Sequence, residues 1–328
     1  WHDVTELGVR GAGWPGEGHP FDPLPPRAEA LATDAVWRLS RMSAGLYIDF
    51  ETNAGALHAK ATLRDELAVE HHYRKYLDLY CRDGDTWRWA GVSRFGFMPS
   101  GQTPLIEGIP AEWRQWRLYL PLAHSLDTLA IGIPADREIR PLPSDPRSPV
   151  AIYGTSIVHG CGHLSRPGMA WPSIVSRRLD YPLINLGFSG SARSEPELAT
   201  VLADLDPAVW VVDPLPNMTT ELVETNAEPF LRTILGAHPE TPLLMIEDRT
   251  HADAWLRPNY AAGQQAKRGA FRTIGDQLRQ EGYPVHYLIG DGLLGDDSEA
   301  TTDASHPSDL GAWRYAAAVS PVLAEILT

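Results

Sequence analysis

The second half of the chain alternates short runs of consecutive apolar residues with longer stretches of mixed polarity. The apolar runs are typical of strands buried on both faces, and the longer stretches are typical of helices. The predicted strands are 150–153, 183–186, 209–212, 243–246 and 285–289, and the predicted helices are 170–179, 195–205, 220–237, 261–280 and 309–327. This alternation predicts a three-layer α/β/α domain around a parallel sheet. In such a sheet the functional site lies at the carboxyl ends of the strands.

The first half is different, because short stretches of alternating polarity are separated there by turn residues. The predicted strands are 35–39, 45–50, 54–59, 75–80, 87–90 and 116–120, and Asp83-Gly84-Asp85 predicts a hairpin turn. Many short strands at regular spacing predict an antiparallel β-sandwich. Four of the ten residues 140–149 are proline, which predicts a stiff linker. The expected organisation is therefore a β-sandwich over 1–140, a linker over 141–149 and the α/β domain over 150–328.

The charge balance excludes several classes of partner. The 328 residues include 28 Lys and Arg against 42 Asp and Glu, a net charge of −14. Nucleic acids and anionic membrane surfaces both require a basic footprint, so neither is expected as a partner. No apolar run approaches the ~20 residues of a membrane-spanning helix, and no signal peptide is visible. We expect a cytoplasmic protein, and its two cysteines, Cys81 and Cys161, do not suggest a disulfide framework.

Two motifs resemble ligand sites but lack the context that such sites need. Gly11-Ala12-Gly13-Trp14-Pro15-Gly16 has dinucleotide-binding spacing, but it follows no predicted strand and precedes no predicted helix. His159-Gly160-Cys161-Gly162-His163 has no further ligand at a suitable spacing, and zinc prefers four. The sequence therefore predicts neither a metal nor an organic cofactor.

Polar residues that can perform chemistry follow the predicted strands or precede the last helix. Ser156, Gly190 and Asn217 follow the first three strands, and Asp303 and His306 precede the last helix. A serine hydroxyl needs a base to take its proton, and an imidazole titrates near neutral pH. His306 can be that base, with Asp303 holding the other ring nitrogen. The backbone N–H groups of Ser156 and Gly190 and the side-chain amide of Asn217 form the predicted oxyanion hole.

These blocks, in this order and at similar separations, resemble the SGNH hydrolase (GDSL-like esterase/lipase) superfamily. That superfamily is named for a Ser, a Gly, an Asn and a His, which correspond here to Ser156, Gly190, Asn217 and His306. Asp303 completes the catalytic triad of the resemblance. The similarity covers about residues 149–328 and implies a flavodoxin-like α/β/α hydrolase domain.

Further stretches resemble a bacterial subgroup whose esterase domain follows an N-terminal, jelly-roll-like β domain. These stretches are Gly154-Thr155-Ser156-Ile157, Arg166-Pro167-Gly168-Met169, Asn185-Leu186-Gly187-Phe188-Ser189-Gly190 and Glu247-Asp248-Arg249-Thr250. Tyr76-Leu77-Asp78-Leu79-Tyr80 is similar to the G-x-D-L-Y motif of that β domain, with Tyr76 in place of the Gly. Two other departures are Thr155, where Asp is usual in Gly-Asp-Ser, and Leu-Pro-Asn217-Met218 in place of Gly-x-Asn-Asp. Because of these departures, the sequence does not determine the shape of the acyl pocket.

The resemblance implies a serine esterase that works through an acyl-enzyme without a cofactor. Family members with this architecture are often carbohydrate esterases, so the expected substrate is a short acyl ester, above all an acetyl ester, of an oligosaccharide or a small polar alcohol. The candidate substrate contacts are Arg166, Arg249, Trp171 and Trp255. Two alternatives stay open, a broad arylesterase or thioesterase without sugar preference and a catalytically silent glycan-binding module. Homo-oligomer formation and the role of the β domain are open as well.

Overall fold

A computed structural model describes residues 1–64, 77–93, 100–160 and 163–328. The chain divides into two compact units. The first comprises Trp1–Pro26, Arg38–Pro146 and Ser165–Gly168, and the second comprises Arg27–Trp37, Arg147–Leu164 and Met169–Thr328. Within the described ranges, no helix combines the length and apolarity needed to cross a membrane.

The first unit contains two antiparallel sheets that share one apolar core. Its strands are β1 (His2–Asp3), β2 (Val9–Arg10), β3 (Tyr47–Thr52), β4 (Ala56–Leu63), β5 (Asp78–Asp83), β6 (Thr86–Val92), β7 (Ser100–Glu107), β8 (Arg114–Tyr119), β9 (Leu126–Gly132) and β10 (Ile139–Pro141). The strand orders are β1-β9-β4-β7 and β10-β3-β8-β5-β6, with β2 beside β3. Ile48 and Leu118 of one sheet and Leu57 and Leu129 of the other lie in the same buried cluster. The predicted antiparallel β architecture is confirmed.

The predicted strand over 35–39 is wrong, because these residues lie in a helix. The short helices among the first 40 residues are α1 (Val4–Leu7) and α2 (Asp34–Leu39), with a 3₁₀ turn at Pro26–Ala30. The side chain of Thr33 accepts a hydrogen bond from the Val36 amide at 3.3 Å, and its carbonyl accepts one from Trp37 at 2.8 Å. Val and Trp favour strands in isolation, but this N-terminal cap favours a helix.

The predicted hairpin is confirmed, and the proline-rich stretch starts inside a strand. β5 and β6 pair from Asp78 to Asp83, and Gly84 in their turn has a φ of +57°. Tyr76, at the start of the G-x-D-L-Y-like motif, lies outside the described residues. Arg140 of β10 pairs with Glu51 of β3, so the chain is still in a sheet at Pro141. The linker itself stays a prediction.

The second unit is built on a parallel sheet, as predicted. Its strands are β11 (Val150–Gly154), β12 (Leu183–Gly187), β13 (Val209–Asp213), β14 (Leu243–Ile246) and β15 (Val285–Leu288), in the order β12-β11-β13-β14-β15. Its helices are α3 (Ser156–His159), α4 (Trp171–Leu179), α5 (Pro196–Leu202), α6 (Thr220–Leu222), α7 (Glu228–Ala237), α8 (Pro258–Gln280) and α9 (Asp309–Ile326). A π-helical segment, Val223–Ala227, joins α6 to α7.

Helices cover both faces of this sheet. Ile152 of β11 lies in a buried cluster with Trp171 of α4 and Tyr315 of α9. The next residue, Tyr153, points to the opposite face and packs on Phe230 of α7 with ring centroids 4.6 Å apart. The alternation therefore places α4 and α9 on one face and α7 on the other, which confirms the α/β/α layers.

Asp78 of β5 is a fully buried carboxylate that three donors satisfy. The Arg166 Nη1 and the Gly168 amide donate to its Oδ2 at 2.9 and 2.8 Å, and the Trp89 Nε1 donates to its Oδ1 at 2.9 Å. Burial alone would lower the pKa of Arg166, but the charge of Asp78 and the Tyr80 hydroxyl outweigh burial and raise it. Asp78, the Asp of the G-x-D-L-Y-like motif, thus forms an ion pair with Arg166 within the first unit, and its carboxylate is fully buried.

We expect Asp78→Ala to lower the free energy of unfolding by about 3–5 kcal/mol, because it removes the charge that compensates Arg166. Chemical denaturation followed by circular dichroism measures the loss. Asp83→Ala is the matched control on the same strand, since its side chain is 59% exposed and pairs with Arg88 at the surface. The control should change stability by less than about 0.5 kcal/mol. Equal losses in the two variants would contradict the assignment.

Asp213, the last residue of β13, is a second buried carboxyl group, and its state differs from that of Asp78. It is 1% exposed, and its Oδ2 accepts the Tyr315 hydroxyl at 2.7 Å. Burial is the largest influence and raises its pKa to about 8, although the Tyr315 bond and the charge of Arg249 act in the opposite direction. The carboxyl group is therefore mostly neutral in the folded protein at neutral pH.

Asp213 should make the protein less stable as the pH rises from about 4 to about 8. In this range the folded protein keeps a proton that the unfolded chain has released, so the contribution is full below about pH 4 and is lost as the pH passes about 8. Asp213→Asn should remove this dependence. The wild-type stability minus the variant stability, measured by urea unfolding, should fall by up to about 1.4 kcal/mol per pH unit. A difference that does not change with pH would contradict this prediction.

Candidate active site

Ser156 lies two residues after β11, at the first position of α3. The side chain of Thr155 caps this helix by accepting a hydrogen bond from the Ile157 amide at 3.4 Å. Thr and Asp are both good N-caps, so Thr155 can take over this role from the Asp that is usual in Gly-Asp-Ser. The N–H of the first residue of a helix has no partner within that helix, which leaves the Ser156 N–H without an intrahelical bond.

Two residues of the next strand hold α3 in place. A Cβ added to Gly187 would lie 2.1 Å from the backbone nitrogen of His159, so only glycine allows this close approach. The Asn185 Nδ2 donates to the Val158 carbonyl at 2.8 Å, and its Oδ1 accepts from the Gly187 amide at 2.9 Å. The sequence pointed to both residues as part of a family block but did not predict this positioning of the serine helix.

The structure brings Ser156, His306 and Asp303 into one hydrogen-bonded row. The Ser156 Oγ lies 2.8 Å from the His306 Nε2, and the His306 Nδ1 lies 2.7 Å from the Asp303 Oδ2. The other carboxylate oxygen of Asp303 accepts from the backbone amides of His306 and Ser305 at 2.7 and 3.0 Å. This geometry lets a proton pass from the serine to the imidazole while the carboxylate holds the far nitrogen.

The carboxylate at the end of this row stays charged. Partial burial would raise the pKa of Asp303, but the hydrogen bonds from the His306 amide, the His306 ring and the Ser305 amide outweigh burial. They hold the pKa well below its usual value, so Asp303 is an anion at any pH near neutrality. A charged Asp303 stabilises a protonated His306.

The loop that carries Asp303 and His306 closes on itself. A bridge pairs Thr301 with Pro307, and the Thr302 amide donates to the His306 carbonyl at 3.0 Å. Ala304 takes a positive φ of +67°, which turns the chain within this loop. The Asp303-to-His306 spacing is thus fixed by local backbone bonds.

His163 is a neighbour of this row that the sequence did not identify. Its ring stacks on His306, with centroids 4.3 Å apart and planes inclined by 15°. Its Nδ1 lies 2.6 Å from the Thr302 Oγ1, so it is tied to the same loop. Sequence analysis pointed to His163 only as a weak candidate metal ligand. It could not indicate the stacking, because His163 and His306 are far apart in the chain.

The described group that most resembles a metal site consists of His163, Asp303 and His306. One ligand atom from each lies within 4.8 Å of the others. Nearly parallel stacked rings direct their nitrogen lone pairs along separate planes rather than to a common point, and three ligands are fewer than structural zinc uses. The arrangement fits a positioned general base better than a metal centre. Cys161 lies outside the described residues.

Two of the three predicted oxyanion residues, Gly190 and Asn217, lie in the turns after β12 and β13. Gly190 has a φ of +70°, which favours glycine, and the Phe188 amide ties the start of its turn to the Gly154 carbonyl at 2.7 Å. Asn217 ends the 3₁₀ turn Leu215–Asn217, and its Nδ2 donates to the Ala192 carbonyl at 3.2 Å. An amide nitrogen carries two hydrogens, so this bond orients the side chain while one hydrogen remains for a ligand.

A small cavity adjoins the serine. The space in it that the centre of a water molecule can occupy is about 10 Å³, which is at the lower limit for holding one water. It is lined by Ser156, Ile157, Gly160, His163, Leu164, Trp171, His306, Pro307 and Ala312. Trp171 is buried and packs on Tyr315 with ring centroids 5.0 Å apart. This predicted substrate contact is therefore a wall of the cavity and not an exposed stacking platform.

The other predicted substrate contacts lie in different surroundings. Arg166 is bound to Asp78 in the first unit, and Arg249 is 1% exposed with its donors on Ser305, Asp248 and His251. Trp255 is 77% exposed and borders a second cavity of about 190 Å³, which His251 and Thr301 also line. Of the candidate contacts, Trp255 is thus the one with a large exposed surface.

Two family models match the chain. Residues 147–324 match the GDSL-like lipase/acylhydrolase family, and residues 1–139 match the GxDLY domain, the N-terminus of SGNH-hydrolase-type esterases. None of the curated protein sequences matches the chain.

Solved structures match nearly the whole chain. A crystal structure described as a GDSL-like lipase from Bacteroides ovatus is 30% identical, with a TM-score of 0.92 over 99% of this chain and 97% of that one. The salicylyl-acyltransferase SsfX3 from a tetracycline biosynthetic pathway is 17% identical, with a TM-score of 0.76 over 97% and 94%. A family two carbohydrate esterase from Clostridium thermocellum in complex with cellohexaose is 11% identical, with a TM-score of 0.65 over 87% and 93%. At these lower identities the last two show a common fold alone.

The family match extends over more than half of the chain, and the 30% identical structure covers almost all of it. The parallel sheet with serine, glycine, asparagine and histidine blocks after its strands agrees with both. The chain belongs to the GDSL-like lipase/acylhydrolase family of SGNH-type esterases.

Proposed function

We propose that the protein is a serine esterase that removes a short acyl group, above all acetyl, from an oxygen of a carbohydrate or a similar polar alcohol. The observation that carries this proposal is the hydrogen-bonded row of Ser156, His306 and Asp303 next to a cavity of about 10 Å³. The row supplies a nucleophile with its base, and the small enclosed part of the cavity favours a short acyl group.

The reaction has two halves that use the same residues. The Ser156 Oγ attacks the ester carbonyl carbon while the His306 Nε2 takes its proton, and Asp303 stabilises the imidazolium. The tetrahedral intermediate collapses, the ester C–O bond breaks, and His306 protonates the leaving alcohol. Water then attacks the acyl-enzyme with His306 as base, which releases the acid and restores Ser156.

The negative charge on the tetrahedral intermediate needs donors at the sheet edge. The Ser156 N–H, the Gly190 N–H and the Asn217 Nδ2 are the donors that we propose. The left-handed turn at Gly190 and the bond from Asn217 to Ala192 support this, because both fix the groups before a substrate arrives. Fixed donors stabilise developing charge at no cost of reorganisation, and losing one typically reduces turnover by about 10²–10³-fold.

The alcohol part of the substrate is the finer proposal. A protein of net charge −14 repels strongly anionic substrates, which favours a neutral acylated alcohol. The exposed ring of Trp255 is suited to stack on a sugar, and the cavity it borders includes Thr301, next to the loop of His306. Structural neighbours described as carbohydrate esterases support the same class by analogy of fold.

Ser156→Ala should abolish hydrolysis of a small chromogenic acetyl ester, with a loss of about 10⁴-fold or more in kcat. Asp303→Asn should lower kcat by about 10³–10⁴-fold with little change in KM, because it mainly affects the orientation and charge of His306. Initial rates measure both. An alanine variant with wild-type turnover would show that the mechanism is wrong.

A folded wild-type protein that binds glycans but hydrolyses no ester would favour the silent binding module.

Release of acetate from acetylated oligosaccharides, compared with simple aryl acetates, tests the substrate class. We expect a higher kcat/KM for the oligosaccharides, and we expect Trp255→Ala to raise KM for them while leaving the aryl esters unchanged. Trp313→Ala is the matched control, because that ring is 51% exposed and packs with Arg178. Similar kcat/KM values for all of these esters would favour the broad arylesterase instead.

A further inference from the structure

We propose that Arg249 is a positioning residue. It fixes the orientation of His306, the general base, by binding the peptide group that joins Ser305 to His306. This inference rests on the proposed esterase function, since it assigns Arg249 a part in the same site. It also replaces the sequence-based expectation that Arg249 contacts the substrate.

The contact between Arg249 and the loop is direct. Arg249 lies three residues after β14, and its Nε donates to the Ser305 carbonyl at 3.0 Å. Its Nη2 donates to the Ser305 hydroxyl as well. Two donors of one planar guanidinium thus bind Ser305, which fixes both the position and the orientation of this residue.

The same peptide group binds the carboxylate of Asp303 on its other side. The Ser305 carbonyl and the His306 N–H belong to one planar peptide unit, and that N–H donates to the Asp303 Oδ1 at 2.7 Å. A rotation of this unit would break either the bond to Arg249 or the bond to Asp303. Arg249 therefore stabilises the peptide orientation in which Asp303 and His306 face each other.

Arg249 cannot serve as a substrate contact while it has these partners. It is 1% exposed, its Nη1 pairs with the fully buried Asp248, and its Nη2 lies 3.2 Å from the His251 Nε2. Burial, followed by the charge of Arg249, lowers the pKa of His251 to about 4, so this imidazole is neutral and can accept the bond. The guanidinium donors are thus directed at protein groups on every side.

Asp248 extends the same cluster toward the proposed oxyanion donors. Its Oδ2 pairs with the Lys267 Nζ at 2.7 Å, and that ammonium also donates to the Leu215 carbonyl at 2.8 Å. Leu215 begins the turn that ends with Asn217. Burial would raise the pKa of Asp248, but Arg249 and Lys267 lower it, so the carboxylate remains charged between them. One buried cluster therefore holds the base loop and the Asn217 turn together.

Arg249→Lys is the first test, because it keeps the charge beside Asp248 and replaces the fork of donors with a single ammonium. We expect kcat for a chromogenic acetyl ester to fall about 10²-fold with KM unchanged. Arg117→Lys is the matched control. Arg117 is also buried, and its Nε and Nη2 both donate to the Asp49 carboxylate of the first unit at 2.8 Å. The control should lose a similar amount of thermal stability and keep the wild-type kcat.

Ser305→Ala provides a second test if the lysine variant does not fold. It removes only the hydroxyl that accepts from Arg249, so kcat should fall by about three- to tenfold while the protein keeps its fold. Proton NMR adds a readout that a purely structural role would not move. The resonance of the proton between His306 and Asp303, assigned by its loss in His306→Gln, should shift or broaden in Arg249→Lys and remain unchanged in Arg117→Lys.

The outcomes separate this inference from the proposed function. If Ser156→Ala is inactive but the folded Arg249 and Ser305 variants keep wild-type kcat and an unchanged proton resonance, the positioning role is overturned and the esterase stands. If Ser156→Ala keeps wild-type turnover, the proposed function fails, whereas a shifted resonance in Arg249→Lys would still support the structural link. A kcat loss in Arg117→Lys equal to that in Arg249→Lys would attribute the effect to general destabilisation and overturn the inference.

Discussion

The parallel pairing of β11 with β12 and β13 is the constraint on which the candidate site depends. Gly154 lies in register with Gly187 on one side and with Asp213 on the other, so the three strands end at the same level. A Cβ at Gly154 would lie 2.4 Å from the Val158 side chain, and the missing Cβ lets the serine helix begin directly on the sheet. The backbone therefore fixes Ser156 before any side chain of the site contributes.

The other groups of the site lie on irregular loops, and polar contacts hold them in place of strand pairing. Asn217 is tied to Ala192, Asp303 to the amides that follow it, and Ser305 to Arg249. Arg249 and its partner Asp248 are buried, and a buried polar group is costly when a partner is missing. A substitution behind a loop can therefore reduce stability and disturb the site geometry at the same time.

The layered α/β unit could be predicted from sequence because runs of apolar residues require burial on both faces. Ser156 and His306 could be placed because each lies next to the end of a predicted element. The helix at 34–39 could not be predicted, because the cap at Thr33 outweighs the strand preference of Val36 and Trp37. Strand β7 was missed because it contains Pro104, which an edge strand tolerates.

The partners of buried charges were also beyond the reach of sequence. Arg249 and Ser305 are 56 positions apart, and no local pattern indicates that a guanidinium will meet one particular carbonyl. The stacking of His163 on His306 has the same origin in distant contacts. Trp171 shows what such contacts imply for substitutions, since one ring both lines the cavity next to Ser156 and packs on Tyr315, the partner of Asp213. A smaller side chain at position 171 would therefore enlarge this cavity and loosen the packing around a buried carboxyl group at the same time.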